Sequence, residues 1–440
     1  MMAAAAGSVA AISACTPPGQ ETPDQTTSGT DAGPEINTDL DSTPSSFTMR
    51  ANKDQEGLWK ALVEGFMEDH PKVTVDLTVE DFGTIQQNGR RYLNSANPPD
   101  LLRFPVPGDT VKDGLLLNLD PYARAYGWDK FPTSQLAQWL IGEDGRQRGS
   151  GSLYGLGLGF ALVGIYYNKA TLADLGLEVP TTLQEFYDHM GVAKENGYLP
   201  FVGETYITTY LYQSVLQQTG VAQQISDWVF NVPGATIDLP ESVETAALLQ
   251  EWLSEGYLPE DVLTVDGDFM FNQITNGDAL FTSNGSWMVP AYEQAAPGKL
   301  GFFPMPGVTA GDSLHAASAP NGFVIATKAK NPEPAAGFLN WASTSEKARN
   351  AFVSLAGLVP GGPTDAPVPT TPDGSLLAEC IAAFNAVSED DGLVDFIANA
   401  TAGMAQTFGP ELQLLLSNKS TPQKFVDALQ SSYEAALAVR

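Results

Sequence analysis

Histidine and cysteine are scarce in this 440-residue chain, with three of the first and two of the second. His70, His189 and His315 stand at no metal-ligand spacing, which argues against a zinc or iron centre built on them. Cys15 and Cys380 are too few and too far apart for a disulfide framework. Basic residues are short as well: 22 Lys and Arg stand against 52 Asp and Glu, a formal net charge of -30. Such a field repels nucleic acid and anionic headgroups, so no nucleic-acid partner is expected, and it suits a protein that stays monomeric. No stretch beyond the first residues approaches the roughly 20 uninterrupted apolar residues of a spanning helix. Gly-x-Ser-x-Gly and Gly-x-x-x-x-Gly-Lys motifs are missing. The run Gly155-Leu156-Gly157-Leu158-Gly159-Phe160 imitates a dinucleotide fingerprint, but Phe160 replaces its third glycine and a strand pattern follows it.

What is present suffices for a globular interior: 43% hydrophobic and 10% aromatic residues, in a length that suggests two domains or one large one. The first fifteen residues are uncharged and end in Ile12-Ser13-Ala14-Cys15. This ending resembles a bacterial lipobox, whose cysteine becomes the lipidated first residue after signal cleavage. It departs from that pattern at Ile12, where Leu is usual, and in having no Lys or Arg before Arg50. A secretory signal has a positive leading region, so the true signal is expected to begin upstream. An alanine-rich leader with an incidental cysteine is the alternative. Residues 16–46 hold Pro, Thr, Ser, Asp, Glu and Gly with almost nothing apolar. They cannot offset their ordering entropy by burial and read as a disordered tether. Cys380, in an apolar helical stretch, reads as a buried inert thiol.

The regular pattern begins with a short strand over 47–50. Leu58, Trp59, Leu62, Val63, Phe66 and Met67 follow at helical spacing, closed by His70-Pro71. Val73, Val75, Leu77 and Val79 alternate as in a strand. This strand-helix-strand opening favours a parallel sheet. The alternation continues through a helix over 84–95, an apolar run over 161–167, and Thr182-Leu183-Gln184-Glu185, a capping box before the helix over 186–195. After Pro332 the pattern is almost wholly helical, broken by a Gly/Pro loop over 359–374. The fold class is therefore α/β with a helical C-terminal tail.

Four ordered groups of segments resemble the extracellular solute-binding proteins of bacterial carbohydrate ABC importers, the maltose-binding-protein-like family 1. The first is Pro98-Pro99-Asp100-Leu101-Leu102 with Gly114-Leu115-Leu116-Leu117-Asn118-Leu119 and Tyr126-Gly127-Trp128. The second is Leu153-Tyr154-Gly155-Leu156, Val163-Gly164-Ile165-Tyr166-Tyr167-Asn168-Lys169 and Gly176-Leu177-Glu178-Val179-Pro180-Thr181-Thr182. Phe271-Asn272, Asn276-Gly277-Asp278-Ala279-Leu280 and Gly285-Ser286-Trp287 make the third. Gly301-Phe302-Phe303-Pro304-Met305-Pro306, Asn321-Gly322-Phe323-Val324-Ile325 and Asn331-Pro332-Glu333-Pro334-Ala335-Ala336 make the fourth.

The resemblance implies two discontinuous α/β lobes joined by a hinge, as in periplasmic binding proteins, closing around a ligand. By analogy, a signal remnant over 1–15 and a tether over 16–46 precede an N-terminal lobe of 47–159 and 299–345. A C-terminal lobe of 160–298 and 346–440 completes the chain. The crossings are then expected near 159–161, 299–301 and 345. A sugar presents apolar C-H faces and a ring of hydroxyls, so its site needs flat aromatics and polar groups that replace water.

Trp287 matches the family's sugar-stacking tryptophan, although its position also suits an ordinary core residue. Glu204 and Tyr206 match sugar contacts from the second lobe, with a solvated loop as the alternative. Asn52 and Lys53 match polar contacts from the first lobe. Phe104 sits where maltose binders place a platform aromatic, with Arg103 beside it, and would equally fill a core. Asp81, Phe82, Phe160, Asn321 and Gly322 are further candidates, and Phe408 stands in for a tail aromatic that does not align.

The resemblance thus implies a lipid-anchored receptor on the outer face of the cell membrane that catalyses nothing. It would need no cofactor and no metal. It would deliver a mono- or oligosaccharide to two permease subunits with a cytoplasmic ATPase. The competing expectation is a secreted glycan-active enzyme such as a glycoside hydrolase, since paired carboxylates can always be chosen from 52 acids.

Overall fold

The computed structural model describes residues 36–438 except 106, 108, 204, 260–266 and 402, with all their side chains except those of 109, 205–207 and 319. Cys15, and the expected tether as far as residue 35, lie outside the described residues. Twelve strands are described: β1 Ser45–Asn52, β2 Val73–Glu80, β3 Leu101–Arg103, β4 Leu140–Ile141, β5 Ser152–Leu153, β6 Leu156–Asn168, β7 Leu199–Phe201, β8 Ala279–Gly285, β9 Leu300–Phe303, β10 Ala316–Ile325, β11 Val359–Pro360 and β12 Leu393–Val394. Their hydrogen-bonded order is β2-β1-β3-β10-β6-β8-β7. β9 and β11 also pair with β6, β12 pairs with β10, and β4 and β5 form a separate pair.

β6 is an uncharged run buried at all thirteen positions, the signature of a strand covered on both faces. Its early residues pair with β10 and β11, through Phe160↔Pro320 and Phe160↔Val359. Its late residues pair with β8 and β9, through Tyr166↔Thr282 and Tyr166↔Phe302. One strand thereby serves two bodies of packing. The first core gathers Phe47, Trp59, Phe66, Leu101, Phe323, Phe338 and Phe352. A second gathers Phe186, Tyr212, Trp228, Trp252, Phe281 and Phe425. A smaller third cluster holds Phe160, Leu162, Val163, Tyr166, Tyr292, Phe384 and Cys380, the last fully buried.

The helices form for the reasons their patterns gave. In Glu56–Asp69 the buried residues Leu58, Trp59, Leu62, Val63 and Phe66 face the first core, and His70-Pro71 ends the helix. Leu183–Glu195 is capped by Thr182, whose hydroxyl accepts from Glu185 N at 3.1 Å. The Glu185 carboxylate reaches back one residue further than the capping box requires, accepting from Thr181 N at 2.7 Å. Beyond Pro332 the chain is dominated by the helices Pro332–Thr344, Glu346–Ala356, Leu376–Glu389, Met404–Leu416 and Pro422–Ala438.

Three expected boundaries move. Residues 299–301 are not a crossing: they lead into β9, which pairs with the late half of β6. The chain returns to the first core only along β10, whose early residues lie beside Leu162 and whose last three pair with β3. Ser345 merely separates two helices that both pack into the first core through Trp341 and Phe352, and the chain leaves that core after Leu358. The tether over 16–46 was drawn too long. Ile36 and Leu40 pack on the first core, and a Cβ at Gly337 would meet the Leu40 side chain at 2.6 Å. Asp41 pairs with His70 Nδ1 at 3.0 Å and accepts from Lys72 N at 3.3 Å. A polar composition hid two apolar residues whose partners are remote in sequence.

The hydrogen bond from His70 holds the Asp41 carboxyl below the usual carboxylate range. A depressed carboxylate stabilises docking above its unfolded value, about 3.9, and loses that contribution as pH falls through the lower docked value. The protection factors of amides over 36–44, that is exchange normalised for its intrinsic pH dependence, are therefore expected to hold at pH 5–6 and to fall below about pH 4. Protection factors that stay flat across that window would refute the pairing. In β10, a Cβ at Gly322 would overlap the buried Trp139 ring, whereas one at Gly83 meets nothing within 4 Å. Gly322→Ala should lower stability by about 1–3 kcal/mol in urea titration, and Gly83→Ala, on a helix, should raise it by roughly 0.5–1 kcal/mol.

Candidate functional site

The carboxyl ends of β1 and β3 lie side by side because the two strands are parallel neighbours. β10 runs antiparallel to β3 with Phe323 opposite Arg103, so Asn321 and Gly322 arrive beside the same ends. The register of β10 against β6 shifts between Pro320 and Gly322, where Leu158 and Gly159 of β6 stand opposite the single residue Asn321, so the extra residue belongs to β6. Sheet order therefore assembles polar residues at strand termini, where α/β folds place ligands.

These residues form one network. Trp59 Nε1 donates to Asn52 O at 3.1 Å and to Asn52 Oδ1 at 3.2 Å. Asn52 Nδ2 donates to Asp54 Oδ1 at 2.8 Å and to Gln55 Oε1 at 3.3 Å, and Asn321 Nδ2 donates to Gln55 Oε1 at 2.9 Å. Arg103 Nη2 donates to Asn321 Oδ1 at 2.9 Å, and Nη1 donates to Gly322 O at 3.2 Å. The guanidinium also lies 5.0 Å from the Phe82 ring centroid. Arg103 is only 7% exposed. Burial pulls its pKa down to about 10, opposed by the nearby Asp54 charge. Asn321 is thus oriented at both ends of its amide.

A second group is aromatic. Trp287 follows β8 and is half-buried, its ring lying over Gly285 so closely that a Cβ there would overlap it. Tyr210, on the helix Thr205–Leu216, meets Trp287 edge to face at 5.9 Å and Phe396 at 5.5 Å. Phe396 follows the two-residue strand β12. Trp287 packs against residues of both the first core and the smaller cluster.

Of the residues expected from sequence, Asn52, Arg103, Phe82, Asn321 and Gly322 come together in the polar network, and Trp287 anchors the aromatic group. Lys53 and Asp81 are exposed beside them. Glu204 lies outside the described residues; Tyr206 falls on the helix Thr205–Leu216, its side chain outside them. Three candidates are interior instead. Phe104 is buried in the first core against Gly89, and only its main chain joins the network, with Phe104 N donating to Gly322 O at 2.9 Å. Phe160 is fully buried, 5.5 Å from Phe384. Phe408 packs on Tyr212 at 5.8 Å and Phe425 at 6.1 Å inside the second core. The tail aromatic beside Trp287's neighbour is Phe396. Gln55 and Tyr210 were legible by spacing, three residues after Asn52 and four after Tyr206, whereas Phe396 follows a strand too short to show a period.

Among the described residues no group of three His, Cys, Asp or Glu is placed to hold a metal ion, and no helix is long and apolar enough to cross a membrane. Residues 52–349 match the model of the bacterial extracellular solute-binding protein family. The chain belongs to that family. A multiple sugar-binding protein of Streptococcus mutans is 26% identical over 315 residues, spanning 67% of this chain and 69% of that protein. The solved structure of the solute receptor AcbH, described as exclusively preferring β-D-galactopyranose, superposes with a TM-score of 0.73 at 18% identity, covering 90% of this chain and 99% of that one. Apo RafE from Streptococcus pneumoniae gives 0.71 at 18% identity, covering 90% and 98%. This solute-binding chain shares their fold, in which a mixed α/β sheet is followed by a helical C-terminal region.

Replacing Asn321 by Ala would leave the buried Arg103 guanidinium facing backbone carbonyls and a ring alone. Loss of such a buried polar partner should cost about 1–3 kcal/mol, read as a lower urea midpoint at unchanged slope.

Proposed function

We propose that this chain is the extracytoplasmic receptor of an ABC sugar importer, binding a mono- or oligosaccharide and catalysing no reaction on it. The observation that carries the reading is the joint presence of two complementary groups in a solute-binding family member. Trp287 and Phe396 offer partly exposed rings backed by the buried Tyr210, and Asp54 and Gln55 offer a carboxylate and an amide beside the buried Asn52 and Asn321. Rings stack on the C-H faces of a sugar, and amides replace the water lost by its hydroxyls. Glu204 and Tyr206 complete the second wall in this reading.

The lobes of this proposal follow the strand pairing and the cores, with residues 36–161 and 318–360 forming one lobe and residues 163–315 and 376–438 the other. In this reading the two groups face each other across a cleft between the lobes, and closure delivers the sugar to two permease subunits with their cytoplasmic ATPase. Cys15 carries the lipid that holds the monomer to the membrane. The sugar-binding name of the Streptococcus mutans relative supports the ligand class.

A thermal-shift panel of galactose, maltose, raffinose and longer glycans, with metals and polyamines as controls, tests it. A ligand at about 100 times its Kd should stabilise the fold by roughly 2.7 kcal/mol. Trp287→Ala should weaken the best sugar by about 2 kcal/mol, some thirtyfold in Kd. A melt shifted only by a metal would sink the sugar assignment, and steady turnover of a glycan would favour a hydrolase.

A further inference from the structure

A buried ion pair lies outside the two groups just described. Arg148, in the loop between β4 and β5, bonds Asp395 Oδ2 at 2.6 Å, and both side chains are under 5% exposed. Its second Nη donates to Val229 O at 2.7 Å and to Asn399 O at 3.0 Å, and its guanidinium covers the Phe230 ring at 5.0 Å. Burying two charges seldom improves on an apolar pair, whereas it does demand one geometry. What that geometry holds is the backbone around Phe396. Asp395 Oδ1 accepts from Phe396 N and from Asn399 Nδ2, each at 2.7 Å. Gln213 Nε2 donates to Asp395 O, and Gln213 Oε1 accepts from Ile397 N, both at 3.0 Å. Gln213 lies three residues after Tyr210 on the same helix, so clamp and aromatic contact share one helical face.

The other end of the hairpin is rooted elsewhere. Leu119 N donates to Leu153 O at 2.7 Å, Tyr154 N donates to Trp139 O at 3.0 Å, and Trp139 and Leu153 are first-core residues. The hairpin therefore joins the first core to the segment that carries Phe396.

We propose that Arg148, acting through Asp395, is the positioning residue for Phe396, the tail member of the aromatic wall. This rests on the sugar-receptor reading for its purpose, and on geometry alone for the clamp. No ligand contact is assigned to Arg148 itself.

Arg148→Met, Arg148→Lys and Asp395→Asn test it in the full chain. Without ligand, hydrogen exchange over 393–400 should accelerate at least tenfold in Arg148→Met while β1 stays protected, and Arg148→Lys should recover part of that protection. Hydroxyl-radical labelling of Phe396 should rise in parallel. With galactose or raffinose, whichever binds the wild-type chain more tightly, Kd should rise at least tenfold in Arg148→Met, and that effect should vanish in a Phe396→Ala background. Unchanged exchange and labelling in folded Arg148→Met overturn the proposal, as does an Arg148→Met effect that simply adds to that of Phe396→Ala. If Arg148→Met does not fold, Arg148→Lys and Asp395→Asn carry the same comparison, with wild-type exchange over 393–400 in both as the refuting result. Should neither sugar bind the wild-type chain, the ligand arm counts against the receptor reading, and exchange and labelling still decide the clamp.

Discussion

Everything else in this molecule depends on the hydrogen bonding of β6. Its thirteen buried residues have no water to satisfy their amides and carbonyls, so every stretch of the strand must find a ladder partner. Early partners come from β10 and β11 and late partners from β8 and β9, with the change falling near Leu162 and Val163. That exchange of partners divides the packing into two large cores and places a smaller cluster at their junction. It also fixes where site residues emerge: Asn321 lies on one partner of β6, opposite the extra residue of that strand, and Trp287 follows the end of another.

Much of the fold was legible because its signals are local. The helix Glu56–Asp69 and the strand Val73–Glu80 each show their period within a dozen residues, and β6 announces itself as an uncharged run. The crossings were not legible, because they are set by which strand pairs with which. Nothing in Lys299-Leu300-Gly301 says that it leads to a β6 partner, and nothing at Ser345 says that both flanking helices share a core. The docked residues Ile36 and Leu40 were hidden for the same reason.

The polar network was largely readable, since Asn52 and Arg103 end recognisable strands and Asn321 lies just before the apolar run Phe323-Val324-Ile325. The aromatic half was read unevenly. Trp287 has a motif around it, but a phenylalanine gives no sign in sequence of whether it lines a surface or fills an interior. Phe104, Phe160 and Phe408 are buried among other rings, while Phe396, with no pattern around it, is the tail residue that reaches Tyr210. Burial is a property of the assembled neighbours and not of the residue.

The docking of residues 36–44 has a mechanical consequence. Leu40 against Gly337, and Asp41 against His70, fasten the start of the described chain to the first core alone. A pull applied at residue 36 would thus be borne first by the helices Glu56–Asp69 and Pro332–Thr344. The second core would receive that load only through β6 and its partners.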